Sequence, residues 1–398
     1  MEHQTDFSYI KPLYLFCNVF GLLPPHSFGT QPTSVSLNFK LYTLLHMVTV
    51  FAVYVYSSTG RAKYLYDNLD VTVALTDKLA HLVLMILNLL VRITFVFCKG
   101  TTTKVFINKA YHLSRKNQFR CFTRRSFWVQ FAIFNVYMLA IIAYDAYVWT
   151  STVGLSIFRF YIGRSFFYYV CNVVVFVIFE SAFLIRDLYK SLNEVLEVGV
   201  KGLVVTNGYV LTEFNIKAIT TVVYPECDLR RVRKYYNAIC DLVDNFNTIY
   251  GFTILLVIIF IISYTLNLTN LLTVYAMDSS KNINGSKYGN NLIVLNFLWI
   301  VTMLIFASLL AHSCANSICQ SENLAAVCFT CLNEIPTIPK TPKEQILKED
   351  VLLLVQQLMA RKPKFSAGGF FAVDFTLLGF ILGSVTSYVI VSIQFIQK

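Results

Sequence analysis

Charged side chains are scarce in this sequence. Lys, Arg, Asp and Glu make up 14% of its 398 residues, whereas apolar residues make up 56%. An ordinary soluble domain carries about 25% charged residues. The mean hydropathy is +0.59, and several apolar runs are long enough to cross a bilayer. These features exclude a typical soluble domain and indicate a polytopic membrane protein.

The motifs of common catalytic sites are missing as well. The sequence has no phosphate-binding glycine loop, no Gly-x-Ser-x-Gly and no His-Glu-x-x-His. Cys328 and Cys331 have the spacing of a zinc or redox site. No second pair or His cluster accompanies them, so free thiols on a cytosolic helix are the favoured interpretation. We therefore predict a protein that is not an enzyme and that has no cofactor and no metal site.

Neither a disulfide framework nor a cleaved leader is predicted. None of the ten cysteines falls in an external loop of the topology derived below, and disulfides persist mainly in oxidising, external surroundings. Residues 1–40 lack the basic start, short apolar run and small-residue cleavage site of a signal peptide. The net charge of +11 lies in particular loops between apolar segments, which argues against a nucleic-acid partner.

Seven apolar segments reach the roughly 20 residues that a spanning helix requires. Helices are expected because lipid offers no partner for unpaired backbone groups. We predict an all-α membrane protein of seven transmembrane helices with a cytosolic helical region. The segments are residues 37–56, 71–97, 127–153, 162–188, 248–277, 292–311 and 370–396.

The distribution of Lys and Arg predicts the orientation. The link after the second segment carries eight basic residues and no acidic residue, and the long links after the fourth and sixth segments are also basic. Basic loops stay in the cytoplasm, so the N-terminus is predicted inside and the C-terminus outside, the reverse of a G-protein-coupled receptor. Asn284 begins an Asn-Gly-Ser glycosylation sequence in a predicted external link, which agrees.

Two long internal stretches have helical character. Residues 189–247 mix charge with helical apolar spacing, and residues 344–360 form an amphipathic pattern between prolines. Helices four to six are therefore predicted to continue into the cytosol and to pack there, within one subunit or between subunits. The predicted division is a cytosolic tail (1–36), helices one to four (37–188), a cytosolic extension (189–247), helices five and six (248–311), a cytosolic anchor region (312–369) and a final span (370–398).

The final segment has a polar stripe. On a helix, Ser384, Ser387, Val391 and Gln394 share one face. Such a face would line an ion pore, with Val391 as an apolar constriction and a ring of Gln394 amides around the path. The alternative is a face that packs against other helices, with Gly379 and Gly383 allowing close contact.

The end of the chain resembles the C-terminal signature of insect gustatory receptors. That signature is Thr-Tyr, five mostly apolar residues and Gln-Phe, and here Ser387-Tyr388 precedes Gln394-Phe395 with Ser in place of Thr. The seven spans, the inverted orientation and the length agree with that family, although the motif itself matches only at the end. Insect odorant receptors share the architecture without a clear version of the signature and are the first alternative. A non-channel transporter is the second, but no inverted repeat supports it.

The resemblance implies a ligand-gated, non-selective cation channel in the plasma membrane, built from four copies of the chain. A homotetramer is expected, with a hetero-oligomer as the alternative. The last segment would line the pore, with Ser387 on its wall and Val391, Gln394 and Phe395 at the gate, and residues 344–360 would form the anchor helix. Sweet-sensing members typically have Glu after the signature Tyr, where this chain has Val389. A small bitter-type tastant is therefore favoured over a general sugar, and a fructose-type ligand stays open.

The resemblance also implies a ligand pocket within each subunit, in the outer half of the bundle. Aromatic residues at this depth are either ligand contacts or anchors in the membrane interface. Asp145 is predicted either to pair with His81 or Lys78 or to contact the ligand, because a carboxylate in a span usually faces a partner or water. The predicted ligand-binding residues are Tyr144, Asp145, Trp149, Tyr168, Asn172, Tyr264, Asn296 and Trp299.

Overall fold

A computed structural model describes residues 11–25, 34–66, 71–116, 125–206, 229–281, 287–335, 337–339 and 342–396. Over these residues the chain is nearly all helical, which confirms the predicted fold class. In chain order the elements are α1 (Lys11–Val19), α2 (Leu37–Tyr64), α3 (Val71–Arg92), which continues into a π-helical segment (Ile93–Cys98), α4 (Gly100–Lys116), α5 (Arg125–Val153), α6 (Leu155–Phe158), α7 (Ile162–Thr206), α8 (Leu229–Lys281), α9 (Lys287–Glu334), α10 (Pro342–Ala360), β1 (Ser366–Ala367), β2 (Phe371–Ala372) and α11 (Thr376–Ile396).

Each predicted membrane segment coincides with a helix. Among the described residues, six helices are long and apolar enough to cross a membrane, namely α2, α3 with its π-helical continuation, α5, α7, α8 and α9. The last helix, α11, is also apolar, and its 21 residues extend about 30 Å, the thickness of a bilayer core. The chain is therefore a multi-pass helical membrane protein.

Three helices continue far beyond a bilayer. α7, α8 and α9 have 45, 53 and 48 residues, so each extends roughly 70–80 Å, more than twice the apolar thickness of a membrane. α10 packs where α8 and α9 continue, and Arg233 Nη2 on α8 forms an ion pair with Asp350 Oδ1 at 3.1 Å. Gln357 Nε2 also donates to the backbone oxygen of Arg233 at 3.0 Å. The predicted continuation of helices four to six and the predicted extra helix are thus present in one subunit.

Helices also form where the sequence predicts a tail and a basic loop. In the predicted tail, α1 buries Leu13, Tyr14 and Cys17 against the core, and the Tyr42 hydroxyl on α2 donates to the backbone oxygen of Val19 at 2.6 Å. In the predicted loop, α4 buries Phe106 against the same core. In α1 the apolar run is too short to span a bilayer, and in α4 the buried apolar residues lie among basic and polar ones.

The final helix starts later than the predicted span. α11 begins at Thr376, whereas the apolar segment begins at residue 370. The Asp374 carboxylate accepts a hydrogen bond from the Thr376 backbone N–H at 2.8 Å, which starts the helix there. Before it, β1 and β2 form a short antiparallel hairpin in which Ser366 pairs with Ala372. Its turn uses Gly368 and Gly369, whose φ angles of 61° and 84° suit glycine.

This hairpin is fixed to α8. The Asn247 side chain donates from Nδ2 to the backbone oxygen of Lys364 at 2.7 Å, and its Oδ1 accepts from the Ser366 backbone N–H at 2.9 Å. One turn further along α8, a Cβ on Gly251 would lie 3.0 Å from the Ser366 oxygen and 3.2 Å from the Gly368 nitrogen. The base of α11 is therefore held to α8 through close backbone contact, which a side chain at Gly251 would crowd.

Substitution of Gly251 by Ala should loosen this attachment. The added methyl group meets backbone atoms that cannot rotate away, so we expect a loss of about 1–3 kcal/mol in stability and a lower thermal unfolding midpoint of the purified protein. Gly379→Ala is the matched control, because no atom lies within 4 Å of a Cβ at that position. An equal decrease in both variants, or no decrease in Gly251→Ala, would contradict the proposed contact.

Candidate ligand-binding site

A cavity of about 170 Å³ lies at the end of the bundle that is predicted to face outward. Six helices surround it: α2 and α5 near their C-terminal ends, α3, α7 and α9 near their N-terminal ends, and α8. Aliphatic side chains cover part of its wall, but polar and aromatic side chains dominate. The latter are Asp77, Asp145, Trp149, Thr152, Tyr161, Arg164, Tyr264, Asn267, Asn296 and Trp299.

Asp77 on α3 is the centre of a buried charge network beside this cavity. Arg61 Nη1 approaches Asp77 Oδ2 at 2.9 Å, and Arg164 Nη1 approaches Oδ1 at 3.2 Å. The Tyr66 hydroxyl also donates to Oδ2 at 2.8 Å, and Asn267 Nδ2 donates to Oδ1 at 3.3 Å. Four donors from four parts of the chain therefore satisfy one carboxylate, as a charge removed from water requires.

An aromatic ring joins the two arginines. The Tyr161 ring centroid lies 5.3 Å from Arg61 Cζ and 4.6 Å from Arg164 Cζ. Trp149 stacks on the same ring, with a centroid separation of 4.7 Å and an interplanar angle of 15°. Ring faces attract cations, so Tyr161 holds both guanidinium groups while it and Trp149 form one wall of the cavity.

Asp145 on α5 has an indole partner. Trp299 Nε1 on α9 donates to Asp145 Oδ1 at 3.2 Å, and Asp145 is 2% exposed. The predicted alternative partners lie elsewhere: His81 stacks on Tyr54 at 4.8 Å, and Lys78 Nζ lies 4.8 Å from the Tyr66 ring centroid. Among the described ion pairs Asp145 has no cationic partner, so the predicted pairing with His81 or Lys78 is wrong. The carboxylate instead borders the cavity.

The structure brings five of the eight predicted ligand-binding residues to the cavity wall, namely Asp145, Trp149, Tyr264, Asn296 and Trp299. Tyr168 packs against Tyr264 and Trp299, with centroid separations of 4.7 Å and 5.1 Å, outside the lining.

The other two predicted residues also lie away from the cavity. Asn172 is buried, and its Nδ2 lies 3.4 Å from Met138 Sδ. Tyr144 is half-buried on α5, one position before Asp145 and outside the lining. Both residues were predicted from their depth in the membrane alone. Which side chains reach the pocket depends also on the rotation of each helix about its axis.

Sequence reasoning missed the main charged groups of the site. Arg61 lies in the predicted link after the first segment and Arg164 near the start of the fourth segment, where a charged side chain is expected to reach solvent, yet they are 0% and 5% exposed. The available signal was Asp77, a carboxylate inside an apolar segment, which requires a cationic partner at the same depth. The two arginines nearest to that end of the bundle satisfy this requirement. Arg92, further along α3, is also buried and donates from Nη1 to the Asn88 backbone oxygen at 2.7 Å.

Hydrogen bonds extend from the cavity wall to the last helix. Thr76 Oγ1, adjacent to Asp77, donates to Asn267 Oδ1 at 3.2 Å. One turn along α8, Asn270 Nδ2 lies 3.4 Å from Thr76 Oγ1 and 3.2 Å from the Tyr388 hydroxyl on α11. Asn267, which lines the cavity, and Tyr388, which belongs to the C-terminal signature, are thus joined through buried polar groups.

The predicted pore face of α11 is open in the subunit. Ser387 and Gln394 are exposed, and Val391 is 46% exposed. Added Cβ atoms at Gly379 and Gly383 would meet no atom within 4 Å, so this helix does not use its glycines for close packing inside the chain. Phe395 lies on the helix, and its side chain is outside the described residues, as is the whole of the predicted glycosylation site at Asn284.

Comparison with known proteins agrees with this architecture. The family model described as 7tm chemosensory receptor matches residues 10–398. The insect olfactory receptor OR5 from Machilis hrabei has a similar structure, with a TM-score of 0.58, 13% identity and coverage of 97% of this chain and 98% of that chain. The same receptor in complex with eugenol gives a TM-score of 0.55 with the same identity and coverage. Comparison with curated proteins gave no match.

In the part of the chain that the structure describes, six long apolar helices and the apolar α11 define a polytopic helical membrane protein. The family match spans nearly all of its length. The chain belongs to the 7tm chemosensory receptor family.

The Asp77 network should dominate the stability of this end of the bundle. Asp77→Asn leaves two buried guanidinium groups without their anion, and breaking a buried pair in this way costs about 3–5 kcal/mol. The thermal unfolding midpoint of the purified protein should decrease strongly. Asp244→Asn is the control: it removes the same charge from an exposed pair with Arg361, where a loss within about 1 kcal/mol is expected. Similar decreases in the two variants would contradict the role of Asp77.

Proposed function

We propose that the protein is a gustatory receptor that acts as a ligand-gated, non-selective cation channel, opened by a small extracellular molecule in the cavity described above. One observation carries this proposal. Asn270, on the helix that contributes Asn267 to the cavity wall, donates to the Tyr388 hydroxyl of the last helix at 3.2 Å. A ligand that moves α8 therefore has a direct mechanical connection to the helix with the open polar face.

The composition of α11 supports a pore-lining role. Its exposed stripe carries the Ser387 hydroxyl, the Val391 side chain and the Gln394 amide. Four copies of this stripe around an axis would supply a hydroxyl-lined path, an apolar constriction and an amide ring, which are features of ion pores. Phe395 completes the gate region at the end of the helix. A single copy of α11 cannot enclose a path, so the proposal requires several subunits.

Assembly as a homotetramer has support from the region beyond the membrane. α10 exposes Ile346 and Leu353, seven residues apart and so on one face, to 60% and 47%, and apolar side chains exposed outside lipid usually mark a contact surface. Copies of the same chain would cover this face and place four α11 helices together. A hetero-oligomer with a related chain would use the same face. The proposed location is the plasma membrane, with the N-terminus in the cytoplasm, as the basic links predict.

The C-terminal signature favours taste over smell. Ser387-Tyr388 and Gln394-Phe395 resemble the gustatory pattern, and Val389 at the position of the sweet-type Glu favours a bitter-type tastant. An odorant receptor channel is the second candidate, because the fold resembles that of the olfactory receptor OR5. That receptor has been solved in complex with eugenol, and a compact organic ligand of this kind is consistent with the cavity proposed here.

Gating follows from a difference in affinity. A ligand shifts a two-state equilibrium only to the extent that it binds one state more tightly than the other. In the proposed mechanism the ligand occupies the cavity between Asp145, Trp299 and Asn267, and its binding favours one position of α8. In that position the hydrogen bond to Tyr388 moves the outer end of α11 away from the pore axis. The constriction at Val391 and Gln394 then widens.

Substitutions in α11 and in the cavity should have separable effects. Val391→Ala and Gln394→Ala should change ion selectivity or raise basal current, because they alter the narrow part of the path. Trp299→Ala should shift the agonist dose response to higher concentration by about tenfold or more, the loss of one aromatic contact, and leave permeation unchanged. Whole-cell recording with ion substitution measures both effects.

Leu382→Ala is the matched pore control. Leu382 is also exposed on α11, but it lies nine residues before Val391 and so on the opposite side of the helix. Unchanged permeation in Val391→Ala and Gln394→Ala, in cells where the protein reaches the surface, would refute the pore assignment.

A further inference from the structure

The ionised groups around the cavity balance one another. With these side chains in the forms that Arg and Asp ordinarily take near pH 7, Arg61 and Arg164 each contribute +1 and Asp77 and Asp145 each contribute −1, so the formal charges sum to zero. All four are buried, with exposures of 0%, 5%, 6% and 2%. The cavity lining includes no other Lys, Arg, Asp or Glu. A charge that enters this site must therefore lose its hydration and leave the site with an uncompensated net charge.

The two carboxylates differ in their hydrogen-bond partners. Asp77 accepts hydrogen bonds from two guanidinium groups, a phenol and an amide. Asp145 has the indole N–H groups of Trp299 and Trp149 as hydrogen-bond partners and borders the cavity, and a carboxylate has acceptor capacity for further donors. It is the available acceptor for a hydrogen-bond donor of the ligand. The indoles of Trp149 and Trp299 provide apolar faces beside it.

We infer that the cavity selects a small ligand of no net charge that donates a hydroxyl group to Asp145 and places an apolar face on the two indoles. This inference rests on the proposed function, which supplies the ligand site, and it adds the chemical class. Among bitter-type tastants, the inference predicts binding of neutral hydroxylated compounds in preference to protonated amines. A protonated amine would pair with Asp145, but the +1 charge of the Arg61–Asp77–Arg164 group would then be uncompensated.

The size of the cavity limits the ligand to about one ring. An apolar cavity of about 150 Å³ binds benzene in another protein, and the present cavity measures about 170 Å³. Three one-ring probes share the same body and differ in charge near pH 7: benzyl alcohol is neutral, benzylamine is a cation and benzoate is an anion. They test the role of charge with shape held nearly constant.

The experiment measures the thermal unfolding midpoint of the purified full-length protein with each probe at equal concentration. Binding to the folded state raises the midpoint, by about 1–3 °C for a weak ligand in excess. Benzyl alcohol should raise it more than either charged probe. The rise should disappear when the cavity is filled by Leu271→Trp or, if that variant does not fold, by Leu268→Phe.

Asp145→Asn separates a role of Asp145 in ligand selection from a purely structural role, because only the former predicts a change in which probe binds. The variant keeps an oxygen that accepts from Trp299 but gives the cavity a net charge of +1, so benzoate should now raise the midpoint while benzylamine should not. Asp244→Asn, which removes a charge from an exposed side chain remote from the cavity, should leave the wild-type ranking unchanged.

The inference would be overturned if benzylamine or benzoate stabilised the wild type as much as benzyl alcohol or more, or if no probe stabilised it. It would also be overturned if benzyl alcohol still raised the midpoint of the cavity-filled variants, or if benzoate did not raise that of Asp145→Asn. Because the readout is binding and not current, each of these results leaves the channel proposal to its own test in cell recordings.

Discussion

The interaction on which the outward end of the bundle depends is the contact of Arg61 and Arg164 with Asp77. It joins α2, α3 and α7 inside an apolar medium, and Asn267 adds α8. In such surroundings an ion pair is strong only when its remaining donors and acceptors are satisfied. Tyr66 adds a hydrogen bond to the Asp77 carboxylate, and the Tyr161 ring faces both guanidinium groups. Nε and Nη2 of Arg61 and Nε of Arg164 have no hydrogen-bond partner among the described residues. These polar contacts join the helix ends that border the cavity.

The same network leads toward the last helix. Thr76 precedes Asp77 and bonds to Asn267, while Asn270 lies between Thr76 and Tyr388. At its other end, α11 is attached to α8 through the hairpin held by Asn247 and Gly251. The two attachments on α8, at residues 251 and 270, are about 28 Å apart. The base of α11 is thus held by backbone contact. Among the described hydrogen bonds, that of Asn270 with Tyr388 is the one between side chains of α8 and the outer part of α11.

Much of this architecture was predictable from sequence. Long apolar runs predict spanning helices because lipid permits little else, and the amphipathic spacing of residues 344–360 predicts α10. The hairpin before α11 was not predictable, because residues 370–375 are as apolar as the span that follows and Asp374 alone marks the boundary. The depth of Asp145 and Trp299 placed them at the site, but helix rotation excluded Tyr144. Arg61 and Arg164 were missed because their charge suggested solvent, while their positions near Asp77 were invisible without the fold.

The proposed mechanism requires that the cavity control the last helix through Asn270 and Tyr388. Current and ligand binding measured together on Tyr388→Phe test this requirement most directly. Leu382→Ala is the control, because Leu382 is exposed on α11 but lies on the side opposite Val391. Tyr388→Phe should bind a cavity ligand with unchanged affinity but lose most of the maximal current, whereas Leu382→Ala should retain it. A full maximal current in Tyr388→Phe would contradict this mechanism.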